Sequence, residues 1–428
     1  MPEKLARIEQ LLEVYKGLVE VSALINAITD STELLPAILD VARRVMKAEA
    51  ASLFFVLPDG DLELAITSGE HFVFPRADQA QPKIVVPRGC GISGWVIANG
   101  QPLLSTDAYA DPRFYSGVDQ QTGFHTRSIL CTPLVRNGKE IGVLQLLNPI
   151  HRPAFDELDL EAFNAYGILA ATAIDKLRSI ERRRAQDRIE QEISFASEIQ
   201  ASFLPQSLPQ IESPQFAALY RPALNVGGDF YDVIEIGPDE IYFVVGDVSG
   251  KGMPAALLMA QALSILRLIL KPGISPVTAM ARWNAMLSGH TIRGMFITAL
   301  LGRVVSSTRE VEMCSAGHCH PFLIDSAGHC REVTIAGSPP LGLLPELPNH
   351  SHTLTLGIDE WLVLYTDGLV ESFNAARQPL KSEGVAALLS AKFAHASEVI
   401  EALRLGESLH RLQAPPHDDL TVLAFGFR

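Results

Sequence analysis

Apolar residues near the start of the chain recur at spacings of three and four, at Leu5, Ile8, Leu12, Tyr15 and Val19, and predict a helix over 3–27. Such a stripe serves either as the seam of a short coiled coil or as a face buried against the chain's own domain. From 17 to 178 the pattern runs helix, strands, loop, strands, helix, which predicts an antiparallel sheet with helices on one face. Residues 51–56 and 63–67 flank the turn Pro58-Asp59-Gly60, and 128–134 and 141–147 flank Asn137-Gly138, so two hairpins are expected. One long helix is predicted over 160–203. Its apolar positions are Leu169, Ile174, Leu177 and Ile180, then Ile189, Ile193, Ala196, Ile199 and Phe203. Between the two sets, 181–188 offers no good seam position and carries Arg182, Arg183 and Arg184, whose charges repel across a parallel pair. A solvated monomeric spacer is the alternative.

Beyond residue 204 the pattern turns to strands. Residues 230–236 and 240–245 are β-branched and aromatic, and Gly237-Pro238-Asp239 between them is turn chemistry, so they read as antiparallel neighbours. Each run has an aspartate at a glycine-rich end, Asp229 and Asp247. Residues 361–366 repeat the arrangement and finish at Asp367-Gly368, while Asp418-Asp419 opens the last apolar run. The segment 253–271, with Leu257, Leu258, Ala260, Leu263, Leu266 and Leu270, reads as a buried helix.

A length of 428 residues exceeds what one core usually holds, so two domains are expected. With 47% hydrophobic and 20% charged residues the chain is globular, and no apolar run reaches the ~18 residues needed to span a bilayer; the best, 255–270, contains Gln261 and Arg267. The opening Met-Pro-Glu-Lys-Leu-Ala-Arg lacks a secretory core, and a cytoplasmic location is expected. Five cysteines, Cys90, Cys131, Cys314, Cys319 and Cys330, form no framework and fit reduced thiols. A net charge of −14 argues against nucleic acid and against anionic membranes as partners.

Aspartates gathered at strand ends repel one another unless a cation sits between them, and an oxygen-only set favours Mg²⁺ or Mn²⁺ over zinc. Rival chemistries fit less well. Val226-Gly227-Gly228-Asp229-Phe230 lacks the glutamate of the Gly-Gly-Asp-Glu-Phe cyclases and leaves Asp247, Asp367 and Asp418 without a role. The stretch 246–252 has neither the spacing of a phosphate loop nor a Ser/Thr after Lys251. Cys314, His318, Cys319, His320, His329 and Cys330 match no common zinc pattern, and strand alternation sends Cys319 and His320 to opposite faces. Cysteine phosphatases need an arginine six residues after the nucleophile, where Cys319 has Asp325.

Read together, Gly228-Asp229, Gly246-Asp247, Thr366-Asp367-Gly368 and Asp418-Asp419-x-Thr421 resemble the metal-dependent PPM protein phosphatases, in the branch of sporulation protein IIE and the sigma-factor stress-response phosphatases. Supporting matches are Ile199-Gln200-x3-Leu204-Pro205, 247–255, Ser315-Ala316-Gly317-His318-x-x-Pro321 and Gly342-Leu343. The resemblance covers about 225 residues. It implies an α-β-β-α sandwich for 204–428, with two Mn²⁺ or Mg²⁺ ions held by Asp229, Asp247, the Val248 carbonyl, Asp367 and Asp418. It further implies hydrolysis of a phosphoserine or phosphothreonine protein, such as a phosphorylated anti-sigma-factor antagonist, and a switch role for helices in 253–290. Asp232 and Asp419 are expected either to support the site or simply to cap a turn, and His318 to shape the site without binding metal.

Upstream, 91–102, 107–114, 128–134 and 141–148 resemble a GAF domain, a small-molecule sensor and dimerisation fold. The cyclic-nucleotide signature of such domains is kept at Asn148, Phe155 and Asp159 but broken at Pro149 and Leu160, so the ligand is not identified. Cys131 reads as a core cysteine rather than a bilin attachment site. The resulting α+β organisation is an N-terminal helix over 1–16, a GAF sensor over 17–175, a helical linker over 176–203 and a phosphatase domain over 204–428. A signal-regulated homodimer is expected. The rival class is a catalytically inactive PPM-like module that only binds partners, disfavoured because all four key aspartates are present.

Overall fold

The computed structural model describes residues 31–69, 84–288 and 294–428, apart from 210, 212, 349 and 413, and scattered positions between 12 and 23. The helix predicted over 3–27 lies largely outside these residues. The chain divides into two compact units, Met1–Asp187 and Arg188–Arg428. Among the described residues no helix is long and apolar enough to cross a membrane.

The first unit is α1 (Ser31–Val45), β1 (Ala48–Val56), β2 (Leu62–Ser68), β3 (Val85–Val86), α2 (Gly91–Asn99), β4 (Leu103–Ser105), α3 (Gly117–Thr122), β5 (Ile129–Arg136) and β6 (Lys139–Pro149), followed by the 47-residue α4 (Glu157–Phe203). The strands form one antiparallel sheet in the order β3-β2-β1-β6-β5-β4. Both predicted hairpins are present as β1–β2 and β5–β6. Alternation divides the strands cleanly, since Leu53, Leu130, Leu144 and Leu146 pack with α1 and α4 residues such as Ile38, Phe163 and Ile174. Their neighbours Phe54, Ile129, Cys131, Val143 and Leu147 pack with Ile92, Val96 and Ile97 of α2. Helices therefore cover both faces, not one as expected. The reason is α2 itself: it is apolar on nearly every side and has to be enclosed.

The second unit adds β7 (Gln215–Arg221), β8 (Phe230–Glu235), β9 (Glu240–Val248), α5 (Met253–Ile269), α6 (Pro276–Leu287), β10 (Ile297–Val305), β11 (Glu310–Ala316), β12 (Phe322–Ile324), β13 (Cys330–Glu332), β14 (Gly337–Ser338), β15 (His352–Thr355), β16 (Glu360–Tyr365), α7 (Asp367–Val370), α8 (Lys381–Leu389), α9 (Ala396–Arg411) and β17 (Leu420–Phe427). One sheet runs β14-β11-β10-β9-β8 with β15 also on β11, and the other runs β13-β12-β16-β17-β7. Inward residues of the two, among them Phe243, Val245, Leu300, Leu362, Leu423 and Phe425, form the layer between the sheets. Outward residues of the first sheet bury α5 and α6, and those of the second bury α8 and α9. This is the α-β-β-α sandwich expected.

Helix α5 is buried along Leu258, Met259, Ala262, Leu263 and Leu266, but Leu257 and Leu268 of the same helix are 65% and 73% exposed, so its burial is one-sided. Phe425 stacks on Phe216 and meets Phe243 at a tilt of 50°, with ring centroids 5.1 and 4.7 Å away, and is fully buried. Phe425→Ala should cost roughly 3–5 kcal/mol of the second unit's stability. The measurement is the urea midpoint followed by emission of the buried Trp283 and Trp361. A loss below about 1 kcal/mol would show that the sandwich interior does not depend on this ring.

Candidate functional site

The two sheets bring four strand ends to one edge of the sandwich. Phe230 pairs with Gly246 across β8 and β9, which sets Asp229 and Asp247 side by side just beyond the last pair. The Val248 amide donates to the Gly228 carbonyl at 3.3 Å. That approach requires glycine, since a Cβ on Gly228 would lie 2.7 Å from the Val248 carbonyl oxygen and 3.3 Å from Asp247 Oδ1. On the second sheet, β16 ends at Tyr365 opposite Val422 of β17, and the pairing continues as the Thr366 amide donating to the Thr421 carbonyl at 3.0 Å. Asp367 then opens α7 and Asp418 precedes β17. At Gly368 a Cβ would fall 1.8 Å from the Asp419 carbonyl oxygen, so this turn also admits only glycine.

The hydrogen bonds at this edge join the sheets. Asp229, 1% exposed, accepts at Oδ2 from the hydroxyls of Thr366 (2.6 Å) and Thr421 (2.8 Å). The Thr421 amide donates to Thr366 Oγ1 at 2.9 Å. Asp419 is a brace: Oδ1 accepts from the Ala223 amide at 2.7 Å and Oδ2 from the Gly228 amide at 2.6 Å. Gln200, near the end of α4, reaches the same loop, accepting from the Gly227 amide at 3.1 Å and donating to the Gly227 carbonyl. Asp232 is a strand residue paired with Arg267 Nε at 2.7 Å, which removes the turn-capping alternative for it. His318 is buried and shares a 3.0 Å hydrogen bond between Nδ1 and Thr298 Oγ1, and Thr298 pairs with Asp247 across β9 and β10. Burial pushes the His318 pKa down to about 4.

Charge accumulates where these ends meet. Burial and then the charge of Asp247 hold the Asp229 carboxyl well above the usual carboxylate range, against the pull of Thr366 and Thr421. Asp247 is pushed up to about 7 by burial and by the charges of Asp367 and Asp418, with a hydrogen bond from Asp229 opposing. Asp367 is raised by burial, Glu371 and Asp418, while Lys251 lowers it. Lys251 Nζ lies 2.9 Å from Asp418 Oδ2 and donates to the His417 carbonyl at 2.7 Å. All four sequence-predicted aspartates thus share one electrostatic neighbourhood. In this arrangement no three His, Cys, Asp or Glu side chains among the described residues stand at coordination spacing.

Thr366, Thr421, Gln200 and Lys251 lie inside the family-like motifs, but sequence pattern alone gives them no role. A signal was available for the threonines: each is the polar residue at the end of an otherwise apolar strand, immediately before Asp367 or two after Asp419. The segment 317–321 carrying Cys319 and His320 is irregular, so strand alternation does not apply to that pair.

In the first unit, Phe54, Ser93, Phe114, Tyr115, Asp119 and Gln145 line a cavity. The three residues shared with the cyclic-nucleotide signature serve the fold instead. Asn148 accepts from the Arg127 and Ser128 amides and donates to Glu49 and the His125 carbonyl, Phe155 is in the core, and Asp159 pairs with Arg152. Cys131 is fully buried, as a core cysteine should be.

Sandwich, topology and aspartate edge together define the PPM class of fold. Residues 237–428 match the family model described as Stage II sporulation protein E (SpoIIE), and residues 30–174 match the GAF domain. The chain joins a GAF domain to a SpoIIE-type domain of that class. Protein IcfG of Synechocystis sp. is 25% identical over 289 residues, covering 60% of this chain and 45% of IcfG. Phosphoserine phosphatase RsbU of Bacillus subtilis is 27% identical over 232 residues, 54% of this chain and 67% of RsbU. The chain therefore spans less than half of the Synechocystis relative. Among solved structures, the SiaA-PP2C domain of Pseudomonas aeruginosa superposes with a TM-score of 0.51 at 21% identity, over 57% of this chain and 98% of that domain, a likeness of fold.

A carboxyl with a folded pKa raised from 3.8 to about 7 contributes stability at low pH that is lost as pH rises through 7. Without divalent cations, Asp247→Asn should therefore be more stable than wild type at pH 8, by at least about 2–4 °C in Tm. The margin should shrink as pH falls from 7 toward 4, because the wild-type carboxyl is then protonated in the folded state. A variant less stable than wild type at pH 8 would contradict this electrostatic reading.

Proposed function

We propose that the second unit is a metal-dependent phosphatase acting on phosphoserine or phosphothreonine in a protein, under control of the GAF domain. One observation carries the reading: Asp229, Asp247, Asp367 and Asp418, from four separate segments of the chain, converge at one sandwich edge where burial and mutual repulsion raise the pKa values of the first three. The donor set is all oxygen and anionic, and fits two hard cations, Mn²⁺ or Mg²⁺, held by these aspartates and the Val248 carbonyl. When bound, such cations lower the pKa of a water and offset charge on phosphoryl oxygens. The chain's own groups do the positioning. Thr366 and Thr421 fix Asp229, Asp419 and Gln200 hold the Gly227–Gly228 backbone, and His318 braces β10 through Thr298.

The name phosphoserine phosphatase borne by RsbU supports the substrate class, and a phosphorylated anti-sigma-factor antagonist is the substrate we favour. For regulation we favour a cytoplasmic homodimer paired along α4, in which Ile189, Phe195 and Ile199 are exposed apolar residues. The Gln200 contact with Gly227 supports a route from this helix to the aspartates. The GAF cavity would take a small molecule whose identity is open.

The test is hydrolysis of para-nitrophenyl phosphate with Mn²⁺ or Mg²⁺ added, then chelated. Wild type should be active only with the cation. Asp229→Asn and Asp418→Asn should each lose at least about 100-fold in kcat while keeping a native circular dichroism spectrum. Full activity in either variant would remove that aspartate from the reaction and overturn the site, and no activity in the cation-loaded wild type would favour a protein-binding module without catalysis.

A further inference from the structure

Lys251 sits in the turn Gly250-Lys251-Gly252, whose glycines have φ of 94° and 75°, between Val248 and the first residue of α5. This left-handed backbone admits glycine freely and plants the lysine stem at the aspartate edge. Among the described residues, the ion pair of Lys251 with Asp418 is the sole one made by the four aspartates. A structural pin explains the His417 carbonyl contact but not the choice of a carboxylate that faces three others. From the geometry we infer that Lys251 is the resident counter-ion of this cluster: it holds Asp418 while no cation is bound, leaves that carboxylate when a divalent cation enters, and so sets the affinity of the site.

The inference rests on the reading of Asp418 as a cation ligand and deepens it. A carboxylate cannot keep an ammonium at 2.9 Å and also take a divalent ion at about 2.1 Å without placing two cations a few ångströms apart. Their repulsion favours withdrawal of the more mobile one. The lysine is 46% exposed with a long, jointed stem, so it has solvent to move into, and a half-exposed pair is weak enough to open. Entry of the cation is then an exchange rather than a simple addition. Affinity is lower than the four aspartates alone would give, and occupancy becomes responsive to the cation supply.

The experiment titrates the full chain with Mn²⁺ and reads the six-line paramagnetic resonance signal of the free ion, for wild type, Lys251→Gln, Lys251→Met, Lys251→Arg and Asp418→Asn. Thermal melts confirm folding. Lys251→Gln and Lys251→Met should each bind Mn²⁺ about fivefold more tightly, equivalent to about 1 kcal/mol. Lys251→Arg should stay near wild type and Asp418→Asn should bind more weakly. A lysine that only pins the 414–417 segment would on removal leave affinity unchanged or reduced. That result, alongside weakened binding by Asp418→Asn, would overturn the inference while leaving the cation site standing. Unchanged affinity in Asp418→Asn would remove the ligand role of Asp418 and the inference with it.

Discussion

Like charges crowded into a half-dry edge are the constraint around which the second unit is arranged. Carboxylates ionise freely in water, yet here burial and proximity raise the pKa values of Asp229, Asp247 and Asp367. A fold that aimed only at stability would place apolar or neutral residues there. The surrounding structure instead stabilises the arrangement from outside. Two threonine hydroxyls are given to one carboxylate oxygen, a fifth aspartate is spent on backbone amides, and a lysine is aimed at a fourth carboxylate. Glycines at 228 and 368 allow the backbones to close to distances that any side chain would prevent. Each feature costs something locally and makes sense only with the cluster it serves.

Much of this was legible in the chain because strands announce their ends. Apolar runs begin or stop at an aspartate, three of the four beside a glycine, and antiparallel pairing of those runs brings the aspartates to one edge. The hairpins around Pro58-Asp59-Gly60 and Asn137-Gly138 were equally readable from turn chemistry. What was not legible depends on pairings between distant segments. Asp419 bonds Gly228 191 residues away in sequence, and Thr421 bonds Asp229 192 residues away. No local pattern encodes which hydroxyl meets which carboxylate. The placement of α2 on the far face of the first sheet was missed for a related reason, since nine nearly all-apolar residues carry no moment to say which way they face. In α5 the opposite error arose: Leu257 fits an apolar helix by composition but points outward.

Helix α4 joins two chemistries in one element. Its first half is core, with Phe163, Tyr166, Ile174 and Leu177 packed on the GAF sheet. The arginine-rich centre is solvated, and near its end Gln200 turns inward to bind the backbone beside Asp229. A rearrangement that rotated or unwound the last turn would have to break the Gln200 hydrogen bonds before the Gly227–Asp229 loop could move. Sequence periodicity shows the helix but not this contact, because a single buried glutamine in a polar stretch looks like any other.

The central claim is that the aspartate edge is a two-cation site. The direct test is a crystal of the full chain grown with Mn²⁺, with anomalous difference density collected at the manganese edge. The account predicts two peaks among Asp229, Asp247, Asp367, Asp418 and the Val248 carbonyl, with oxygen contacts of about 2.0–2.3 Å and Lys251 withdrawn from Asp418. Saturating Mn²⁺ with no anomalous density at this edge, or density confined to residues elsewhere, would contradict it.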